Sequence, residues 1–133
     1  MMKYLTAIAL ALLLGVGVAT SGFAASMTRV EFAKGNDNAA LDGKVTGNDY
    51  ADYVLGAKAG QTMSVSLITQ GTAYFNILPP GSDGEAIYIG SMDGSDATIK
   101  LPKDGDYTVR VYLMGNDKDS GKTVAYTLSF TIM

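Results

Sequence analysis

The chain has 133 residues and a formal net charge of −3, with ten basic and thirteen acidic residues. It contains no His, no Cys and no Trp. These absences exclude disulfides and every catalytic arrangement with a His base or a Cys nucleophile, and they argue against zinc. The acidic balance argues against nucleic acid, because phosphate binding needs a basic surface. We expect a protein that is not an enzyme and has no cofactor.

The first 24 residues have the pattern of a secretory signal peptide. Lys3 gives a positive start, residues 5–18 are almost wholly apolar, and small residues end the segment at Ala24. The apolar run is shorter than the roughly 20 residues that a membrane-spanning helix needs. We therefore expect cleavage of residues 1–24, export without a membrane anchor, and one domain over residues 25–133. Without Lys3 the domain has nine basic and thirteen acidic residues, a net charge of 9 − 13 = −4.

Alternation of apolar and polar residues, typical of β-strands, runs through the rest of the chain. In chain order it covers residues 30–32, 41–45, 53–57, 62–67, 74–78, 87–89, 97–101, 107–113 and 124–132. Gly-rich turns separate these stretches, and none has a helical period. The pattern predicts an all-β fold, an antiparallel β-sandwich of about eight short strands with no helix. The predicted core contains Val65, Leu67, Tyr107, Val109, Val111, Leu128 and Phe130.

The two longest alternating runs flank the stretch GNDKDSGK at residues 115–122. We interpret these runs as a hairpin, for which a two-residue Asn-Gly turn would be enough. The longer connection is then either a solvated hairpin tip or a contact surface. Deleting residues 116–120 and closing the hairpin with Asn-Gly is expected to leave the fold intact and to abolish binding to a partner.

The Tyr residues divide between the two faces of their strands. Tyr50 and Tyr53 are three apart and must point to opposite faces. Tyr107 fits the inward pattern, whereas Tyr112 is out of phase with it and should face outward beside Arg110. An exposed Tyr beside an Arg is typical of interface hot spots, although a cross-strand pair that covers a sheet face explains it as well.

Carboxylates are clustered in the turns, where Asp is favoured because it caps its own backbone. Asp83, Glu85, Asp93 and Asp96 could offer oxygen ligands to calcium, but their spacing does not match a calcium loop. We expect no metal site. A calcium-stabilised exported module remains an alternative.

Several stretches resemble known exported sandwiches. The segments LDGKVTGNDYADYVLGAKAGQTMSVSL and LPKDGDYTVRVYL are similar to pre-peptidase C-terminal β-sandwich domains. Together with VEFAKG at residues 30–35, they resemble still more the periplasmic inhibitors of goose-type (g-type) lysozyme. The resemblance covers essentially all of residues 25–133.

This resemblance implies a periplasmic protein that blocks the cleft of a muramidase with projecting loops. The contact loops of the family fall on residues 103–107 and 115–122, which should then converge at one end of the sandwich. The implied partner-binding residues, with the outward pair of the neighbouring strand, are Lys103, Asp104, Gly105, Tyr107, Arg110, Tyr112, Asn116, Asp117, Lys118 and Asp119.

The loop chemistry departs from the family pattern. Asp104 stands where a small hydroxyl residue is usual, and GNDKDSGK carries two Asp where the family loop is basic. Asp104 and Asp119 are expected to oppose an acidic cleft, because like charges in an interface repel. The alternative function is binding of carbohydrate or peptidoglycan. It requires exposed aromatic residues on one flat face, for which Tyr50, Tyr88 and Tyr112 are the available residues.

Overall fold

The structure, a computed structural model, describes residues 25–133; the predicted signal peptide lies outside them. The strands are β1 Ala25–Arg29, β2 Asn38–Thr46, β3 Tyr50–Ala57, β4 Thr62–Thr69, β5 Ala73–Leu78, β6 Tyr88–Ile89, β7 Asp96–Lys100, β8 Gly105–Leu113 and β9 Thr123–Ile132. Two short helices are present, α1 Gly90–Asp93 and α2 Gly115–Asp119.

The strands form two sheets that pack as a sandwich, which confirms the predicted fold. One sheet has the order β1-β3-β8-β5-β6 and the other the order β2-β9-β4-β7. The prediction of purely antiparallel sheets is wrong for one pair, because β1 runs parallel to β3 with Ala25 opposite Tyr50. All five residues of β1 are exposed, so no apolar alternation reveals this strand in the sequence. The first strand was expected at residues 30–32, but Val30 follows β1 and is buried.

The predicted hairpin between residues 107–113 and 124–132 does not exist. β8 pairs with β3 and β5 in the first sheet, whereas β9 pairs with β2 and β4 in the second. The inward side chains of the two strands face one another across the core instead of lying side by side. Residues 114–122 are therefore a crossover from one sheet to the other, and they must span the roughly 10 Å between packed sheets.

The prediction of no helix is also corrected by α1 and α2. Each helix is a single turn of four or five residues, which is too short to produce a helical period in the sequence. Gly90 at the start of α1 packs against β5, where a Cβ would clash with the Phe75 carbonyl oxygen. In residues 25–133, neither helix has the length and apolar character needed to cross a membrane.

The core lies between the sheets, and every predicted core residue is buried. A polar contact crosses it: the hydroxyls of Tyr53 and Tyr126, from opposite sheets, are 2.7 Å apart. Burial, together with this hydrogen bond, raises the pKa of Tyr126. A Cβ at Gly43 would lie 2.6 Å from the Tyr126 hydroxyl oxygen, so Gly occupies this inward position of β2 because the two rings need the space.

Truncation of Leu128 tests this core. Its side chain is completely buried in β9. We expect Leu128→Ala to lower the free energy of unfolding by about 2–5 kcal/mol, because it removes buried methyl groups and leaves a cavity. Denaturant unfolding measures the change, and a loss well below 1 kcal/mol would contradict the packing.

Candidate functional site: the crossover end and its tyrosine face

Three connections meet at one end of the sandwich, and all three pass between the sheets. They are residues 47–49 between β2 and β3, residues 70–72 between β4 and β5, and residues 114–122 between β8 and β9. We call these three connections the crossover end. The Gly47 N–H donates to the Lys122 carbonyl over 3.0 Å, and the Met114 N–H donates to the Thr72 carbonyl over 3.3 Å. The long connection is thus tied by its backbone to both of its neighbours.

Asp117 supplies the main side-chain tie of the crossover end. Its Oδ2 accepts a hydrogen bond from the Thr72 N–H over 2.8 Å and lies 2.9 Å from the Thr72 hydroxyl. Its Oδ1 lies 3.8 Å from Lys122 Nζ. The bonds from the Thr72 backbone and then its hydroxyl, with the nearby Lys122 charge, lower the pKa of Asp117. Only 13% of this side chain is exposed, so Asp117 holds the connection together rather than facing solvent.

The remaining polar residues of α2 point away from the sandwich. Asn116, Lys118 and Asp119 are exposed. Among residues 25–133, neither Lys118 nor Asp119 takes part in an ion pair. We call Asn116, Lys118 and Asp119 the tip. It is a short polar projection carried by a braced connection.

Beside the crossover end, the outer face of the five-stranded sheet carries a row of three tyrosines. Tyr50 lies opposite Tyr112, and Tyr112 lies opposite Tyr74, so the row crosses β3, β8 and β5. All three are half-buried. The rings of Tyr74 and Tyr112 have centroids 6.1 Å apart. We call this row, with the polar residues of the next row, the tyrosine face.

The polar residues of the tyrosine face are held in place by one another. Arg110 Nε and Nη2 donate to the two carboxylate oxygens of Asp52 over 2.8 and 3.0 Å. The Arg110 Cζ lies 4.2 Å from the centroid of the Tyr50 ring, a cation–π contact. The Tyr112 hydroxyl donates to Asn76 Oδ1 over 2.7 Å. The hydrogen bond with Asp52 raises the pKa of Arg110, and the pair has no net charge.

The two predicted contact loops do not converge. Residues 103–104 precede β8 and residues 114–122 follow it, so the nine residues of this strand separate them by roughly 25 Å. Asp104 Oδ1 accepts a hydrogen bond from the Ala59 N–H over 2.8 Å, and it braces the turn between β3 and β4. Tyr107 is completely buried, and its hydroxyl donates to the Lys103 carbonyl over 2.6 Å. At Gly105, φ is +135°, a conformation that Gly adopts without strain.

Among curated proteins, the chain is similar to an inhibitor of g-type lysozyme from Escherichia coli strain K12. The two are 34% identical over 124 residues, which are 91% of this chain and 92% of the relative. The chain belongs to the family of g-type lysozyme inhibitors. The relative is an inhibitor and not an enzyme, in agreement with the prediction from composition. No protein-family model matches the chain.

Solved structures place the fold in the same family. The periplasmic g-type lysozyme inhibitor of Aeromonas hydrophila matches with a TM-score of 0.79 and 36% identity, over 84% of this chain and all of that one. The pre-peptidase C-terminal domain of a Bacillus anthracis collagenase matches with a TM-score of 0.60 and 16% identity, over 84% of this chain and 99% of that domain. This second likeness concerns the fold alone.

In this member of the inhibitor family, the sequence predicted Arg110 and Tyr112 as contact residues, but it did not indicate three of their neighbours. Asp52 and Asn76 complete the polar row, and Tyr74 completes the tyrosine row. The alternation in the sequence could have identified Tyr74 and Asn76 as outward residues, because they alternate with inward residues of β5. Tyr88 does not belong to this face: its ring stacks on Phe75 with centroids 5.5 Å apart, and its hydroxyl donates to the Gly94 carbonyl.

Metal binding remains a prediction to be tested. In residues 25–133, no group of three or more acidic side chains lies close enough together to hold an ion. We expect millimolar calcium or a chelator to change Tm by no more than a degree or two. A ligand that binds only the folded state must raise Tm, so a clear rise in a thermal melt with calcium would establish a site.

Proposed function

We propose that this protein inhibits g-type lysozyme in the periplasm and that the crossover end contacts the enzyme. Residues 1–24 would direct export and would then be removed. The observation that carries the proposal is the braced projection of Asn116, Lys118 and Asp119 in a chain that belongs to the inhibitor family. The function is binding without turnover, in which the tip lies across the substrate cleft and excludes the glycan.

Rigidity is what makes the crossover end suitable for inhibition. A connection that is already held in one shape loses little conformational entropy when it binds, and this loss is a main cost of association. Asp117 and the backbone bonds from Gly47 and Met114 provide that rigidity. Loops held by a rigid sandwich are also the usual place for contact residues.

The tip carries one free acidic side chain and not two. Of the two Asp in GNDKDSGK, Asp117 is engaged by Thr72 and Lys122, so it does not face a partner as a free charge. Lys118 and Asp119 remain. Lys118 suits a cleft lined by carboxylates, whereas Asp119 opposes it. Asp104 lies beyond the opposite end of β8 and should have no part in this contact.

The other predicted contact residues would have different parts. Lys103, Gly105 and Tyr107 belong to the far end, and Tyr107 has no exposed surface with which to touch a partner. Arg110 has its charge balanced by Asp52, so it would not act as a cation that enters an acidic cleft. Tyr112 borders the crossover end from the tyrosine face.

A matched pair of variants tests which end binds. We expect Asp119→Asn to lower the inhibition constant about 1.5- to 5-fold at low salt, since exposed charge pairs contribute about 0.2–1 kcal/mol, and the gain should vanish at high salt. Asp104→Asn makes the same chemical change at the far end and should leave inhibition unchanged. Assays against a g-type lysozyme at two ionic strengths give both values. An equal gain in the two variants would reject the crossover end as the contact.

A further inference from the structure

We propose that the tyrosine face is a second binding site, separate from the lysozyme contact, and that it takes an uncharged pyranose glycan chain. The site consists of Tyr50, Tyr112 and Tyr74, with Asp52, Arg110 and Asn76 in the adjacent row. Such a site goes beyond lysozyme inhibition, because a protein that binds the enzyme does not need to bind the glycan that the enzyme cleaves.

The arrangement of the rings supports a chain of sugar rings as the ligand. Neighbouring strands lie about 4.8 Å apart, so Tyr112 and Tyr74 on adjacent strands form a track with a repeat near the length of one pyranose. Tyr50, with the Arg110 guanidinium over its ring, borders one end of this track. The Tyr74 and Tyr112 rings are tilted by 37° and in contact distance, which gives a continuous aromatic surface. The apolar C–H faces of pyranoses pack on such surfaces, while aromatic faces also attract positively polarised hydrogens.

The polar row supplies hydrogen-bonding groups of fixed orientation next to the rings. Asp52 uses Nε and Nη2 of Arg110, so the guanidinium can still present Nη1 toward a ligand. Asn76 Oδ1 is occupied by the Tyr112 hydroxyl, which leaves the Asn76 amide N–H groups as donors. Groups held in this way can bind sugar hydroxyls without first losing side-chain entropy.

The charge of the site selects a neutral ligand. Arg110 and Asp52 cancel one another, so phosphates, nucleotides and acidic peptides would find no free cation here. The opposite face of the sandwich provides an internal comparison. The outward residues of β4 and β9 are mainly Ser and Thr, such as Ser64, Ser66 and Thr127, and the outward tyrosines are gathered on the other sheet.

The test uses residues 25–133 and the β-1,4-linked tetramer of N-acetylglucosamine as probe, with binding followed by amide chemical shifts. We expect shifts confined to β3, β5 and β8, and roughly tenfold weaker binding for Tyr112→Ala and Tyr74→Ala because each removes one stacking ring. Tyr74→Phe keeps the ring without breaking the hydrogen bond between Tyr112 and Asn76, and it should bind within about twofold of the parent. Thr108→Ala, on the same face of β8 but two rows from the tyrosine row, is the matched control and should not change binding.

A second arm measures co-sedimentation with purified peptidoglycan sacculi. Binding to the tetramer alone supports a site for short soluble glycans, and binding to both supports a cell-wall strand as the ligand. No binding to either probe, at tetramer concentrations up to roughly 10 mM, would overturn the proposal, as would binding that both Ala variants retain. If Tyr112→Ala weakens lysozyme inhibition while no glycan binds, the face belongs to a protein partner. Because glycan binding is measured without lysozyme, its result is independent of the proposed inhibition.

Discussion

Replacing residues 114–122 with Asn-Gly is expected to abolish the native fold. An Asn-Gly turn closes two strands that pair side by side about 4.8 Å apart. β8 and β9 lie in different sheets, which are separated by about 10 Å, and the chain must also reverse its direction on the way. The replacement further removes the carbonyl that accepts from Gly47 and the carboxylate that accepts from Thr72. A domain stable by about 5–15 kcal/mol does not tolerate such a break.

Thermal unfolding followed by circular dichroism provides the measurement, with no cooperative transition as the expected result. The control replaces the same residues with a Gly/Ser segment of equal length, which can span the two sheets but lacks the ties of Asp117. That variant should fold with a lower Tm and should not inhibit lysozyme. If the Asn-Gly variant melts like the parent, β8 and β9 do not lie in separate sheets.

Removal of the Asp117 carboxylate is expected to release the crossover end without unfolding the sandwich. Asp117→Ala leaves the Thr72 N–H without its acceptor and Lys122 without its nearby anion. We expect amide exchange at Thr72 to become faster and inhibition of g-type lysozyme to weaken by about tenfold or more, because the tip must then be ordered on binding. Asp117→Asn retains a carbonyl oxygen that can accept from Thr72, so it should keep most of the inhibition.

The effect of Asp117 on stability depends on pH in one direction. Its hydrogen bonds lower its pKa in the folded protein, relative to about 3.9 in the unfolded chain. The stabilisation is therefore fully present above pH 4 to 5 and is lost as the pH falls through the folded pKa. The difference in Tm between parent and Asp117→Ala should accordingly be constant near neutral pH and shrink below about pH 4. A difference that grows on acidification would contradict the assigned role.

The sequence by itself determined which side of β4, β8 and β9 is buried. Alternation in β8 and β9 placed Val109 and Leu128 in the core and turned Tyr112 outward beside Arg110, as the structure shows. The physical reason is local. In an extended chain successive side chains point to opposite faces, so burial of one face places an apolar residue at every second position of the sequence.

Only the tertiary structure decided which strands are neighbours. Alternation of apolar and polar residues shows that one face of a strand is buried, but it does not show which strand lies beside it. The hydrogen bonds between neighbouring strands are made by the backbone and are the same for every residue type. The alternation in β8 and β9 therefore predicted a hairpin, although the two strands lie in different sheets. For the same reason the sequence could not separate residues 103–104 from residues 114–122, or align Tyr50, Tyr112 and Tyr74. The tyrosine row arises where strands distant in sequence pair within one sheet, and the tip is held in place by connections that are distant from it in sequence.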